Sequence, residues 1–216
     1  MFNSIFPKIH KEGYKFLAIS IIATFIILLF SNFLGLMFVL LTVWVYYFFR
    51  DPERTSINDD NYLVSPADGL ITNVSEQTGP IELQLENTTF TKVSIFMNVF
   101  NCHVNRTPLT GTVEEINYKP GKFLNASLDK ASEENERNYY KIKCNKSGEE
   151  IIIVQIAGLI ARRIVCEVEQ GQNLKQGERI GMIRFGSRVD IYFKNKKVLA
   201  KKGQNVVAGE SLIASM

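Results

Sequence analysis

The sequence predicts a mainly β protein carried on an N-terminal transmembrane helical hairpin. Three observations lead there. Two long uncharged apolar stretches open the chain, short apolar alternations fill most of the rest, and a glycine-bounded turn motif recurs near the C-terminus.

The apolar stretches come first. Residues 16–30 read FLAISIIATFIILLF and residues 33–49 read FLGLMFVLLTVWVYYFF. One helix through both would run about 50 Å at ~1.5 Å per residue, against a hydrocarbon core of ~30 Å. Two short helices turning near Ser31-Asn32 fit better, although each is slightly short for a full span. Lys8, Lys11 and Lys15 precede the segment and Arg50 and Arg54 follow it. A hairpin places both basic flanks on the cytoplasmic side, as the positive-inside rule requires. A signal peptide fits poorly, because the apolar region is too long and no small-residue cleavage site follows. Trp44, Tyr46 and Tyr47 suit an interfacial aromatic belt and ordinary helix filling equally well. The expected location is the cell membrane, with the remaining domain on the cytoplasmic side.

From residue 50 to residue 216 the texture changes. Runs such as Val93-Ser94-Ile95-Phe96-Met97, Ile151-Ile152-Ile153-Val154 and Val189-Asp190-Ile191-Tyr192-Phe193 are separated by Gly, Pro, Asn and Asp. That pattern marks a β-rich domain. Residues 125–138 are the main polar break, a loop or one short helix with a loop. Gly171-Gln172-Asn173-Leu174-Lys175-Gln176-Gly177-Glu178 recurs as Gly203-Gln204-Asn205-Val206-Val207-Ala208-Gly209-Glu210, and Pro66-Ala67-Asp68-Gly69 is echoed by Pro108-Leu109-Thr110-Gly111. Glycines at the ends of each unit suit strand-to-strand turns. The combination resembles the biotinyl/lipoyl-like barrel-sandwich hybrid, a resemblance of fold and not of function.

Composition narrows the classes. The net charge of +3 over 216 residues, with no long basic run, does not argue for nucleic acid. Cys102, Cys144 and Cys166 are odd in number and lack CxxC spacing, so they read as reduced thiols. His10 and His103 are the only histidines, which excludes a histidine-rich metal site.

The chemistry centres on Ile183-Arg184-Phe185-Gly186-Ser187-Arg188-Val189-Asp190, between the two repeat units. A Gly-Ser pair alone means little. Here it joins two strand-like runs, in a chain with a single histidine outside the N-terminal segment and an Asp after a Pro-Ala turn. The words Phe48-Phe49-Arg50-Asp51-Pro52-Glu53-Arg54, Ser65-Pro66-Ala67-Asp68-Gly69, Phe100-Asn101-Cys102-His103-Val104-Asn105-Arg106 and Phe185-Gly186-Ser187 together resemble the phosphatidylserine decarboxylases, in their compact membrane-associated branch.

That resemblance implies a zymogen that cuts itself between Gly186 and Ser187 into a β chain of residues 1–186 and an α chain of residues 187–216, held as a heterodimer. Ser187 would become a pyruvoyl cofactor. Phosphatidylserine would then lose CO₂ through a Schiff base to that group, giving phosphatidylethanolamine in phospholipid biosynthesis. A serine hydroxyl needs a base, a role the resemblance gives to His103 oriented by Asp68. No metal is implied. Longer members carry a second histidine three residues after the position of His103. Here that place is Arg106, a candidate for binding the substrate's phosphate or carboxylate. Arg162-Arg163 suits phospholipid headgroups or a solvated pair.

Two other readings stay open from sequence. A membrane-anchored lipoyl-like carrier or adaptor shares the architecture, but it would want a Lys at the hairpin tip or a coiled-coil insertion, and neither is present. An archaetidylserine decarboxylase would share the catalytic residues. A homo-oligomer is also left open.

Overall fold

The computed structural model describes residues 7–123, 134–158, 163–184 and 187–215. The chain divides into two compact units, Met1–Glu53 and Arg54–Met216.

The first unit holds a 3-10 turn at Lys11–Gly13 and two helices, α1 (Tyr14–Leu28) and α2 (Asn32–Phe48). Ser31 is extended and its hydroxyl accepts from Leu34 N at 3.4 Å, capping α2. Small polar groups join the helices. Thr24 Oγ1 lies 2.9 Å from Thr42 Oγ1 and donates to Ser20 O at 2.7 Å. At Gly35 any side chain would collide with Leu28. Large apolar side chains such as Ile22, Phe25, Leu29 and Phe33 point outward and are exposed.

The transmembrane hairpin expected from sequence is overturned. The helices contain 15 and 17 residues. They rise about 22 Å and about 25 Å at ~1.5 Å per residue, short of a ~30 Å core. No described helix is long and apolar enough to cross a membrane. The break at Leu29–Ser31 keeps the two apolar stretches from joining, and each helix is no longer than its own stretch, which was already short of a span.

The second unit is mainly β, with a curled sheet. Its strands are β1 (Tyr62–Val64), β2 (Gly69–Thr78), β3 (Thr89–Met97), β4 (Val104–Arg106), β5 (Gly111–Lys119), β6 (Arg137–Cys144) and β7 (Glu150–Ala157). They continue as β8 (Arg163–Cys166), β9 (Asn173–Leu174), β10 (Arg179–Arg184), β11 (Ser187–Phe193), β12 (Lys197–Val198), β13 (Asn205–Val206) and β14 (Leu212–Ser215). An eight-stranded sheet has the order β13-β2-β3-β11-β7-β6-β5-β9, and two three-stranded sheets have the orders β4-β10-β8 and β1-β14-β12. Of the polar break at 125–138, Arg137 and Asn138 open β6, and residues 125–133 lie outside the described residues.

The repeats seen in the sequence form two matching halves. Ile71 N donates to Gln204 O at 2.9 Å, and Val113 N donates to Gln172 O at 2.9 Å. Gly209 N donates to Ser65 O and Gly177 N to Thr107 O, at 2.8 and 2.9 Å. Both glycines have positive φ, +77° and +82°, which these turns demand. The halves also lock each other, through Arg106 N to Pro66 O and Val64 N to Pro108 O. Each carries a register shift at the same place, Ile71/Asn73 on β2 and Val113/Glu115 on β5.

β11 is buried along its whole length. Val189, Ile191 and Phe193 enter the main core with Ile71, Ile95, Ile153 and Val206. The alternate residues Arg188, Asp190 and Tyr192 face the other side, where Tyr192 packs with Phe90, Tyr139 and Ile152. There Arg188 Nη2 meets Asp190 Oδ2 at 2.9 Å, both nearly fully buried.

The 3-10 turn Ile81–Leu83 places Glu82 2.7 Å from Lys119 Nζ and 3.3 Å from Arg137 Nη2. Burial pushes the Glu82 carboxyl up, but the Lys119 hydrogen bond, further hydrogen bonds and the Arg137 charge together hold it below its usual range. A carboxyl depressed in the folded state contributes stability above its unfolded pKa of ~4.3 and loses it as pH falls toward the folded value. Glu82→Gln is therefore expected to lower urea stability at pH 7. The gap to the parent chain should shrink as pH drops below ~4.3, and a gap constant with pH would contradict this ion-pair account.

Candidate active site

Two strand ends converge on residues 185–186. β10 ends at Arg184 and β11 begins at Ser187. β4 pairs with β10 through Val104 and Met182, and Ile183 N donates to His103 O at 3.3 Å. His103 therefore lies against the last residues of β10. Its Nδ1 sits 3.0 Å from Asn101 O. A carbonyl only accepts, so Nδ1 carries the proton and Nε2 is the basic nitrogen. The ring is fully buried.

Ser187 is also fully buried. It is opposed by Met97 on β3 and Ala157 on β7. Its Oγ has no hydrogen-bond partner among the described residues. Gly186, the other predicted cleavage residue, lies outside the described residues together with Phe185.

Asp68 precedes β2, two strands from β11, which is about 10 Å between backbones at ~4.8 Å per strand. Its Oδ2 accepts from Arg54 Nη2 at 2.9 Å and its Oδ1 from Ala208 N at 2.8 Å. The matching position in the other half is Thr110, whose Oγ1 accepts from Gln176 N at 3.2 Å. The bond to the turn amide is thus common to both halves, but Thr110 has no counterpart to the charge that Asp68 sets against Arg54, which also reaches Glu210 at 3.9 Å. Arg54 sits in the first family word, yet its role was not legible, because its partner lies fourteen residues away across a turn.

Arg106 is nearly fully buried, and its Nη1 donates to Gly177 O at 2.8 Å. Its Cδ lies 3.2 Å from where a Cβ on Gly209 would stand. The guanidinium stem thus runs between the two repeat turns. Three residues apart on an extended chain, His103 and Arg106 point to opposite faces. Of the arginine pair, Arg163 is exposed at the start of β8, and Arg162 lies outside the described residues.

A polar cluster adjoins Ser187. Tyr140 Oη donates to Gln155 Oε1 at 2.8 Å, Gln155 Nε2 donates to Asn105 Oδ1 at 2.8 Å, and Asn105 Nδ2 lies 3.6 Å from Met97 Sδ. Burial, with Cys166 close by, holds the Tyr140 phenol well above its ordinary range, so it stays a hydroxyl. Sequence reasoning passed over these residues, which look like ordinary polar positions in strands. A cavity of about 550 Å³ lies on the opposite face of the sheet, lined by Glu82, Lys92, Lys119, Arg137, Asp190 and Tyr192. It does not contain Ser187 or His103.

Ser187 is thus a buried serine at a strand start, with no described partner for its hydroxyl, and His103 is a buried histidine held against the end of the preceding strand. Comparison with known proteins identifies the class as decarboxylases made as precursors. The family model for phosphatidylserine decarboxylase matches residues 41–214. The phosphatidylserine decarboxylase proenzyme of Pelagibacter ubique (strain HTCC1062) is 69% identical over 99% of both chains. Those of Rickettsia akari (strain Hartford) and Cereibacter sphaeroides (strain ATCC 17025 / ATH 2.4.3) are each 48% identical, over 99% and 100% of this chain and 92% and 93% of theirs. The chain belongs to the phosphatidylserine decarboxylase family, whose pyruvoyl-dependent enzymes arise by self-processing.

Arg106→Met is expected to cost about 1–3 kcal/mol in urea unfolding, by removing a buried charged donor from Gly177 O. The KM of the active fraction should stay near its parent value. A raised KM at unchanged stability would instead put Arg106 on the substrate.

Proposed function

We propose that the chain decarboxylates phosphatidylserine to phosphatidylethanolamine and CO₂ after cutting itself between Gly186 and Ser187. The observation that carries this reading is the buried Ser187 hydroxyl, unpartnered among the described residues, on the strand that follows the strand held by His103.

The cut begins when Ser187 Oγ attacks the Gly186 carbonyl carbon as its proton passes to His103 Nε2. The C–N bond breaks as the C–O ester bond forms. Loss of the Cα proton with cleavage of the Cβ–O bond then frees the carboxylate of residue 186. Water entering the dehydroalanine at position 187 releases ammonia and leaves a pyruvoyl group. The site fits that group, since residue 187 is held in a dry, hydrogen-bonded strand. Once formed, the group supplies an electron sink for the electrons left by departing CO₂. His103 returns a proton to the carbon that loses CO₂. Asp68 acts by holding its end of the site through Arg54 and Ala208.

The two chains stay together as a heterodimer because the α chain begins with the central strand. β11 is hydrogen-bonded to β3 and β7, β13 to β2, and β14 to β1, all partners in the β chain.

The same reading places the protein at the cell membrane, with the catalytic unit on the cytoplasmic side. The substrate is a lipid, and α1 and α2 expose apolar side chains between the basic residues Lys8, Lys11, Lys15 and Arg50. Phe25→Asp with Ile22→Asp is expected to release the protein from anionic vesicles in a flotation assay, while the parent chain floats. Unchanged flotation would remove α1 from the contact.

Intact mass tests the cut. The purified parent chain should give two masses, the smaller starting at a blocked residue 187. Ser187→Ala should remain one chain and release no CO₂. His103→Ala should cut about 10²–10⁴-fold more slowly, the usual contribution of a general base. Two chains from Ser187→Ala would overturn the assignment.

A further inference from the structure

We propose that Asn105 is a catalytic residue of this site, whose carboxamide N–H donates to the oxygen carried by residue 187. The inference rests on the reading of Ser187 given above.

Three observations converge. The first is direction. His103 and Asn105 are two residues apart on extended backbone, so their side chains share a face. Asn105 reaches Met97 Sδ from that face. Met97 is the ladder partner of Ser187. Directly opposed residues carry their side chains on one face with Cβ atoms ~4.5–5.5 Å apart. Asn105 therefore hangs over the pair that contains Ser187.

The second observation is orientation. Amide oxygen and nitrogen are told apart by their network. Tyr140 Oη lies 2.8 Å from Gln155 Oε1 and 3.2 Å from Ile180 O, and its one proton, on the nearer acceptor, turns Gln155 Nε2 toward Asn105 Oδ1. The oxygen of Asn105 is thereby fixed away from Met97, and its nitrogen faces the sulfur of Met97, the ladder partner of Ser187. All of these side chains are fully buried, so no solvent competes for the donors.

The third observation is a mismatch. The Asn105 nitrogen faces a thioether, a weak acceptor. The neighbouring Ser187 Oγ is buried with no partner among the described residues. A strong donor beside a poor acceptor and a hydroxyl lacking a described partner would meet each other's need. An N–H on one lone pair of Oγ fixes the hydroxyl rotor, leaves its proton for His103, and stabilises the negative charge that grows on oxygen as the proton leaves. After the cut, the same N–H meets the carbonyl oxygen of residue 187.

The test follows cutting of the full-length chain by intact mass, with thermal melting to confirm folding. Asn105→Leu and Asn105→Asp are compared with the parent chain and Ser187→Ala, with and without hydroxylamine, which cleaves an ester once it has formed. Folded Asn105→Leu and Asn105→Asp should cut roughly 10²-fold or more slowly, the loss typical of one donor to a developing oxyanion. Hydroxylamine should not restore cutting, because ester formation itself is slowed. Parent-rate cutting, or parent-rate release of both chains by hydroxylamine, overturns the proposal. Should neither Asn105 variant fold, Tyr140→Phe decides. It removes the hydroxyl that orients Gln155 and that also reaches Ile180 O, so with the melting temperature kept near the parent value several-fold slower cutting supports the proposal and parent-rate cutting overturns it. Persistent cutting in Ser187→Ala would sink the underlying reading of Ser187. Its loss there, with normal cutting in the Asn105 variants, sinks this inference alone.

Discussion

The structure depends on the burial of β11 between β3 and β7. A strand hydrogen-bonded on both edges and covered on both faces is the most constrained segment a sheet offers, and Ser187, the serine of the proposed cut, is its first residue. That position reconciles two demands. The peptide bond to be cut must be accessible to a neighbouring side chain, and the fold must survive the cut. Breaking the chain ahead of the first residue leaves every ladder bond of β11 in place. A cut in mid-strand would free two short segments from the core and lose register on both sides. The repeated turns serve the same end, since they pin β13 to β2 and keep the strands that follow the cut from fraying.

The doubled architecture also shows how a structural position becomes a functional one. Ser65–Ile71 and Thr107–Val113 make nearly the same backbone bonds to the two GQN-containing turns. Ser65 Oγ bonds Ala67 O as Thr107 Oγ1 bonds Leu109 O. Asp68 and Thr110 each bond the amide just before a turn glycine. The halves diverge in what they add to this common frame. One places a carboxylate against Arg54. The other sends Arg106 from β4 across to the Gly177 carbonyl. The turn amide alone requires only an acceptor, which Thr110 provides, so the negative charge of Asp68 answers to Arg54 and to the site.

Much of this was legible in the chain. The alternating runs at 93–97, 151–154 and 189–193 fall within β3, β7 and β11, because alternation is dictated by which side of a sheet each residue faces. The repeats were visible because turn chemistry is local, and a glycine forced to positive φ leaves its mark at a fixed spacing. The family words singled out Ser187, His103 and Asp68, all three of which the fold buries. What failed was set by non-local geometry or by length. The hairpin expected to cross a membrane fails on length already present in the sequence, since stretches of 15 and 17 residues give helices too short for a crossing. The motif around Arg106 could not show its contact with Gly177, which is 71 residues away in sequence. Asn105, Gln155 and Tyr140 come from three strands, and nothing in their local sequence announces a network.

The dryness of the site limits how the first bond can form. Ser187 and His103 are both fully buried. A free alkoxide in such surroundings would bear a desolvation cost of several kcal/mol even after relaxation, added to the unfavourable ionisation of an alcohol. No full charge can therefore precede attack. The proton must leave for Nε2 as the carbon–oxygen bond forms, so negative charge passes from Oγ to the attacked carbonyl without resting on the serine. For the proposed cut, a neutral imidazole with its other nitrogen fixed on Asn101 O suits that requirement better than an exposed, hydrated group would. The same exclusion of water that makes ionisation costly also protects a reactive carbonyl at residue 187 once it exists. Burial thus slows the first reaction and preserves the product of it, and the fixed dipoles around the strand are what make that exchange workable.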